Sequence, residues 1–369
     1  MYVPDRGSIA LSDIAASMGR EPYRLATLFG ERAWLYRSGR LAILAGLRLA
    51  GAGPKRRIWL PAYLCRAALE PVLHCRLRVS WYDITDDLAP RGEVQDAAAG
   101  DFVMLVHFFG LTAPARQLRS VCRARAMRFV EDCAHGLPDP ASSVQMGSFG
   151  DIAVFSLRKQ LPVPDGGVLV VNDPAAPQPA PPSPRANRVG AALRLTQLAA
   201  ERVAHSWGWN ILPLAERIRS RSVSVPLSHG NPPDDPIEGA SPLTLKLMAS
   251  LDVPAAVRRK QANYRALVER VARLPGVEVP IPSLPEGSVP QVLPVRVSDP
   301  AAACRTLRSM GVGACLWPGT DTINDIRLDD YPGASAWYTR GLCLPVHESL
   351  EERHLDWTAR ALARVVGSG

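Results

Sequence analysis

A chain of 369 residues with 47% hydrophobic content is long enough to bury a large core, and the usual domain size predicts one large unit and a smaller one. The formal charge of +8 and pI near 9.3 come mostly from arginines spread along helical segments, which argues against nucleic-acid binding. Seven cysteines, odd in number and without CxxC spacing, argue against a disulfide framework or a metal site. They point to a reducing compartment, and with no leader and no membrane-length apolar run the expectation is a cytoplasmic protein without membrane contact.

Residues 1 to about 30 read as an N-terminal arm with an amphipathic segment from Leu11 to Met18. Ser38-Gly39-Arg40 then opens a helical run whose apolar residues Leu41, Leu44, Ala45 and Leu49 recur at helical spacing. A Ser-Gly pair at a helix start is either a plain N-cap or an anion site built from free N–H groups. From Arg57 strands and helices alternate: strands at Ile58 to Leu60, Leu77 to Tyr82, Phe102 to Phe108 and Arg128 to Val130, helices at Ala67 to Leu73 and Ala115 to Ala126. Continuous apolar strands between helices predict a mainly parallel sheet covered on both faces, with ligands at the carboxyl ends of the strands. His107, Asp132, His135 and Lys159 fall there on this reading.

Two more strands, Ile152 to Leu157 and Val168 to Val171, flank a short loop ending in Asp165-Gly166-Gly167. A divergent segment follows over 176–240, with a proline-rich start, helices across Arg188 to Ser220 carrying Trp207 and Trp209, and a polar loop from Val225 to Gly239. The tryptophans read as packing or subunit-interface residues. Residues 243–274 read as a long helical stretch broken near Pro254, followed by strands at Gly276 to Val279 and Val289 to Val297, a helix at Ala301 to Met310, a strand at Leu344 to His347 and a helix at Leu355 to Val366. The expected division is a large domain, 1–250, and a small C-terminal α/β domain, 251–369.

Lys159 is one of only four lysines among 43 basic residues, and arginine cannot take a lysine's place in forming a Schiff base. Taken alone Lys159 could be a solvated loop cation, and His135 or Ser156 ordinary core residues. Together with Asp132 and the Ser38-Gly39-Arg40 helix start they match the needs of pyridoxal 5'-phosphate: a lysine amine, a carboxylate for the protonated ring nitrogen and an anion site for the phosphate.

The order Ser-Gly before a helix, His107 to Gly110, Glu131-Asp132-x-Ala134-His135, Gly147-x-Phe149-Gly150-Asp151, Phe155-Ser156, then Lys159-x-Leu161 and an acidic residue before Gly-Gly resembles the DegT/DnrJ/StrS family. The resemblance covers residues 35 to 175 well and the remainder loosely. It implies an α/β fold of the fold type I PLP-transferase kind, with a seven-stranded, mainly parallel sheet, in a homodimer. It also implies an aminotransferase moving an amino group from a donor such as glutamate to a keto group, typically on a nucleotide-linked sugar for polysaccharide or natural-product biosynthesis. Residue by residue, Lys159 matches the Schiff-base lysine, Asp132 the pyridinium partner, His135 the neighbour of the phenolic oxygen, Ser156 a phosphate ligand, and Gly39 and Arg40 the helix-start pair. The chain departs from the family in four places. Arg40 stands where the family has threonine and is expected to pair with the phosphate directly. Cys65 stands at the position of the stacking aromatic, with Tyr63 the nearby alternative. The Ser156 to Lys159 interval is two residues short, and the family's cross-subunit Asn-Tyr-Arg-Met motif has no counterpart near Ser241 to Leu247. The missing cross-subunit motif and Cys65 motivate a second reading, a catalytically degenerate protein acting as a binding or regulatory module.

Overall fold

A computed structural model describes residues 1–92, 94, 97–182, 188–212, 237–319, 323 and 326–367. Eight strands form one sheet: β1 (Ala33–Tyr36), β2 (Arg57–Pro61), β3 (Arg78–Ile84), β4 (Pro90–Arg91), β5 (Phe102–Val106), β6 (Arg128–Cys133), β7 (Ile152–Ser156) and β8 (Gly167–Val171). Their spatial order is β1-β8-β7-β6-β5-β2-β3-β4. Strands β7, β6, β5, β2 and β3 are parallel; β8 and the two-residue β4 run against them, and β1, paired antiparallel with β8, runs with them again. The central strands are buried throughout, Phe102 to Val106 and Ile152 to Ser156 among them, which is why their sequences are continuously apolar rather than alternating. Counted without β4, the sheet has the expected seven strands.

The helices of this unit include α1 (Leu11–Met18), α2 (Ala26–Phe29), α3 (Gly39–Leu49), α4 (Arg66–His74), α5 (Ala115–Ala124), α6 (Leu157–Gln160) and α7 (Arg188–Trp207). Helix α3 lies on β7 and β8 and is buried almost without interruption from Leu41 to Leu47, so it is apolar on most of its circumference and not along one stripe. Downstream come α8 (Pro242–Met248), α9 (Val253–Val271), β9 (Val292–Arg296), α10 (Pro300–Ser309), α11 (Pro332–Arg340), β10 (Gly341–Pro345) and α12 (Glu352–Val366). Pro254 separates α8 from α9 by occupying the first turn of the latter, where its missing N–H costs nothing. Strands β9 and β10 make a separate antiparallel pair. One hydrophobic cluster nevertheless runs from Ile58 and Phe102 in the large sheet to Leu293 and Leu344 in the small one.

Two expectations change. The strand from Phe102 ends at Val106: the chain turns at Phe108–Gly110, with Phe109 at φ 59 and Gly110 at φ 78. A Cβ at Gly110 would collide with the carbonyls of Val289 and His135, so only glycine fits there. Residues 276–279 contribute only a bridge between Glu278 and Arg296 instead of a strand. Trp207 and Trp209, expected as packing or subunit-interface residues, are 71% and 60% exposed with their rings 5.6 Å apart, so they pack on each other. The expected helices over 213–220 and loop over 225–236 lie outside the described residues. No helix among the described residues is long and apolar enough to cross a membrane.

Candidate functional site

The carboxyl ends of β5, β6 and β7 open on a cavity of about 880 Å³ lined by Ser38, Gly39, Arg40, Cys65, Asp132, His135, Ser156 and Lys159. Eight of the nine residues singled out for cofactor chemistry therefore meet in one place. They come from four elements: the start of α3, the N-cap of α4, the end of β6, and the β7–α6 junction.

The floor is set by glycines. A Cβ on Gly39 would touch Ser156 Cβ at 3.3 Å and Oγ at 3.7 Å, so the start of α3 sits directly against the end of β7. A Cβ on Gly167 would strike Ser38 and the Gly39 nitrogen, which explains the Gly-Gly pair at the head of β8. Ser38 caps α3 by accepting from Leu41 N at 3.4 Å, and the N–H groups of Gly39 and Arg40 have no partner among the described residues. Free first-turn donors, the positive helix end and the Ser156 hydroxyl form an anion cradle.

Asp132 is 5% exposed. Its Oδ1 accepts from Ala134 N at 2.9 Å, while Oδ2 has no hydrogen bond among the described residues. Burial raises its pKa, with Lys159, the Ala134 amide and His107 working the other way; a cationic ring N–H would favour the carboxylate further. His135 Nδ1 accepts from Phe109 N at 3.1 Å, which leaves Nε2 as the donor. Burial and then Lys159 hold the imidazole pKa well below its ordinary value, so it is neutral. The residues thus fit pyridoxal phosphate on the structure's own terms: a lysine in the cavity, a buried carboxylate with a spare oxygen, a neutral donor and an anion cradle at a helix start.

Three sequence readings need correction. Tyr63 does not line the cavity. It is 1% exposed, its hydroxyl donates to Trp317 O at 2.9 Å, and its ring is enclosed by Phe108, Trp317, Trp337 and Tyr338. Arg40 reaches the cavity already paired with Glu70, thirty residues on in α4. His107 is a scaffold residue: Nδ1 accepts from Ala113 N at 3.1 Å and Nε2 lies 3.2 Å from Glu131 Oε1. Glu131 in turn accepts from the N–H groups of Gly147, Phe149 and Gly150. His107, Glu131 and Cys133 lie within metal-binding reach of one another, but these hydrogen bonds already occupy both ring nitrogens and both carboxylate oxygens.

Sequence reasoning missed Glu70, Arg158 and Trp317 in the cavity wall. Trp317 stands edge-on to His135 at 5.2 Å. It arrives from the far end of the chain, and nothing in its local sequence marks it. Arg158 was readable as a neighbour of Lys159, though not as a cavity residue.

Residues 25–180 match the DegT/DnrJ/EryC1/StrS aminotransferase family. Among curated relatives, a UDP-N-acetyl-3-dehydro-alpha-D-glucosamine 3-aminotransferase from Acidithiobacillus ferrooxidans is 29% identical over 143 residues, 37% of this chain and 39% of that protein. A dTDP-4-dehydro-2,3,6-trideoxy-D-glucose 4-aminotransferase from Saccharopolyspora spinosa is 23% identical over 355 residues, 91% of this chain and 85% of its own length. The match to the first thus spans well under half of that relative's length. Among solved structures, an aminotransferase from Streptoalloteichus hindustanus superposes with a TM-score of 0.71 at 18% identity, covering 100% of this chain and 99% of its own. At that identity the likeness establishes the fold, an α/β architecture of the fold type I kind.

Proposed function

We propose that this chain, a member of the DegT/DnrJ/EryC1/StrS aminotransferase family over residues 25–180, is a pyridoxal-phosphate-dependent aminotransferase. Its substrate would be a ketone on a nucleotide-linked sugar and its amino donor a compound such as glutamate. The observation that carries this reading is the meeting of Lys159, Asp132 and Ser156 with the free start of α3 in one cavity. A degenerate binding module has no use for that combination, and nothing in the site favours it.

When bound, the cofactor supplies a carbonyl carbon to receive the amino group and a protonated ring that draws electrons from the substrate carbon. Asp132 would hold the ring N–H. His135, fixed as an Nε2 donor by Phe109 N, would donate to the phenolic oxygen. Ser156 and the first N–H groups of α3 would hold the phosphate. Lys159 Nζ would carry the cofactor at rest and move the substrate proton once the donor amine has displaced it. Trp317 and Cys65 wall the cavity against bulk water.

A homodimer follows from the same reading, with the exposed Leu193, Val203, Trp207 and Trp209 of α7 and its exit as its nearest structural support. So does a split into units 1–250 and 251–369, in keeping with the separate β9–β10 pair. A chain with seven cysteines, odd in number and without a CxxC pair, fits a cytoplasmic setting.

The test is an absorption spectrum of the protein with added pyridoxal phosphate, beside Lys159→Ala. A visible band that borohydride abolishes, absent from the variant and converted by glutamate, is expected. A parent that stays colourless and inert toward every amino donor overturns the reading.

A further inference from the structure

Three arginines line the cavity, Arg40, Arg158 and Arg308, and they are not equivalent. Arg40 pairs with Glu70 and Arg308 donates to Ala314 O at 3.1 Å; of the other arginines whose charges act on Arg158, Arg37 pairs with Glu238 at 2.9 Å and Arg6 with Asp5 at 3.2 Å. Arg158 lines the same cavity, one residue before Lys159 and two after Ser156, and has no hydrogen bond or ion pair among the described residues. Arg158 is exposed at the cavity, where Arg6, Arg40 and Arg37 work against its charge and Asp165 works for it. An exposed cation set among like charges, with no ion pair of its own among the described residues, is left to attract an anion that enters the cavity. The open anion cradle at Ser156 and Gly39 lies within the same wall.

Resting on the cofactor reading above, we propose that Arg158 is the cation that binds the cofactor's phosphate, and that Arg40, neutralised by Glu70, is not. An arginine fork can donate two parallel hydrogen bonds to a phosphate. Its place beside Lys159 ties phosphate binding to the lysine's own short helix.

The test compares binding of pyridoxal phosphate and of pyridoxal, which lacks the phosphate, to the parent, to Arg158→Met and to the pair variant Arg40→Met/Glu70→Gln. Arg158→Met is expected to weaken pyridoxal phosphate about ten- to hundredfold while leaving pyridoxal nearly unchanged. The pair variant is expected to keep the parent's preference for the phosphorylated form. An unchanged preference in Arg158→Met, or an equal loss for both ligands, overturns the proposal. So does a loss confined to uridine diphosphate binding on the cofactor-loaded protein, which would place Arg158 on a substrate diphosphate. Inorganic phosphate, read as a rise in the parent's melting temperature that Arg158→Met lacks, reports on the cradle directly. A parent that ignores pyridoxal phosphate but shows this rise would sink the enzymatic reading and not the role of Arg158 at the anion cradle.

Discussion

Lys260 Nζ lies 2.7 Å from Gln160 Oε1 and also donates to the Gln160 main-chain oxygen. Gln160 follows Lys159, and its amide nitrogen donates to His135 O and, at 3.0 Å, to Val289 O. One buried ammonium of α9 therefore holds the backbone beside two cavity residues. Burial lowers its pKa and Glu348, 3.5 Å away, opposes that. Lys260→Met would strand the Gln160 oxygens and leave Glu348 without its cation, an expected loss of about 2–4 kcal/mol. Urea unfolding measures it; a variant with the parent's midpoint and slope would show that these contacts add nothing.

Asp132 carries a cost for its function. Its pKa is raised by burial, so the folded state prefers the acid form, and the stability that this preference contributes is present below the ordinary value of 3.8 and lost as pH rises through the folded value. Asp132→Asn keeps an oxygen for Ala134 N and removes the charge. It is expected to melt above the parent at neutral pH, to lose that advantage in acid, and to bind pyridoxal phosphate more weakly. Equal melting temperatures at neutral pH would refute the burial argument.

Gly167 pairs with Ser156 across β7 and β8, and a Cβ there has only backbone to push against, at Ser38 and Gly39. Gly167→Ala is expected to cost about 1–3 kcal/mol and to pull the start of α3 off Ser156. The paired signature is lower stability together with a lost preference for phosphorylated ligand. If stability falls but the preference survives, the cradle tolerates the displacement and its geometry is not set by Gly167.

Local patterns carried much of this fold. Helices α4 and α5 stand where their apolar periodicity puts them, and the central strands where their continuous apolar runs do, because each buries the residues that carry its own signal. The antiparallel β1 did not declare itself: Ala33–Tyr36 is four residues, mostly half-buried, too short for an alternating signal. At the site the motif residues were legible because strand ends and glycines mark them. The failures were failures of long-range pairing. Arg40 reads as a phosphate ligand until Glu70 is found beside it, and Tyr63 reads as a stacking ring until Trp317 and Trp337 close over it. Neither partner has a sequence signature pointing back.

His347 makes acid stability a test of the link between the N-terminal arm and the chain's second half. It is 3% exposed, its Nε2 lies 3.1 Å from Pro4 O, and its Nδ1 is 2.9 Å from Ser349 Oγ, an arrangement that suits the neutral ring. Burial chiefly, with a contribution from Lys260, pushes its pKa from 6.5 to about 4, against the pull of Glu348 and Asp5. A lowered folded value means the stabilisation is complete above 6.5 and is lost as pH falls from there toward 4, as the unfolded chain takes the proton first. Over that window the single site is worth about 3 kcal/mol. His347→Gln can still donate to Pro4 O and does not titrate, so its unfolding free energy should fall less steeply than the parent's between those two values. Parallel curves would mean that His347 is not the group whose protonation loosens the arm.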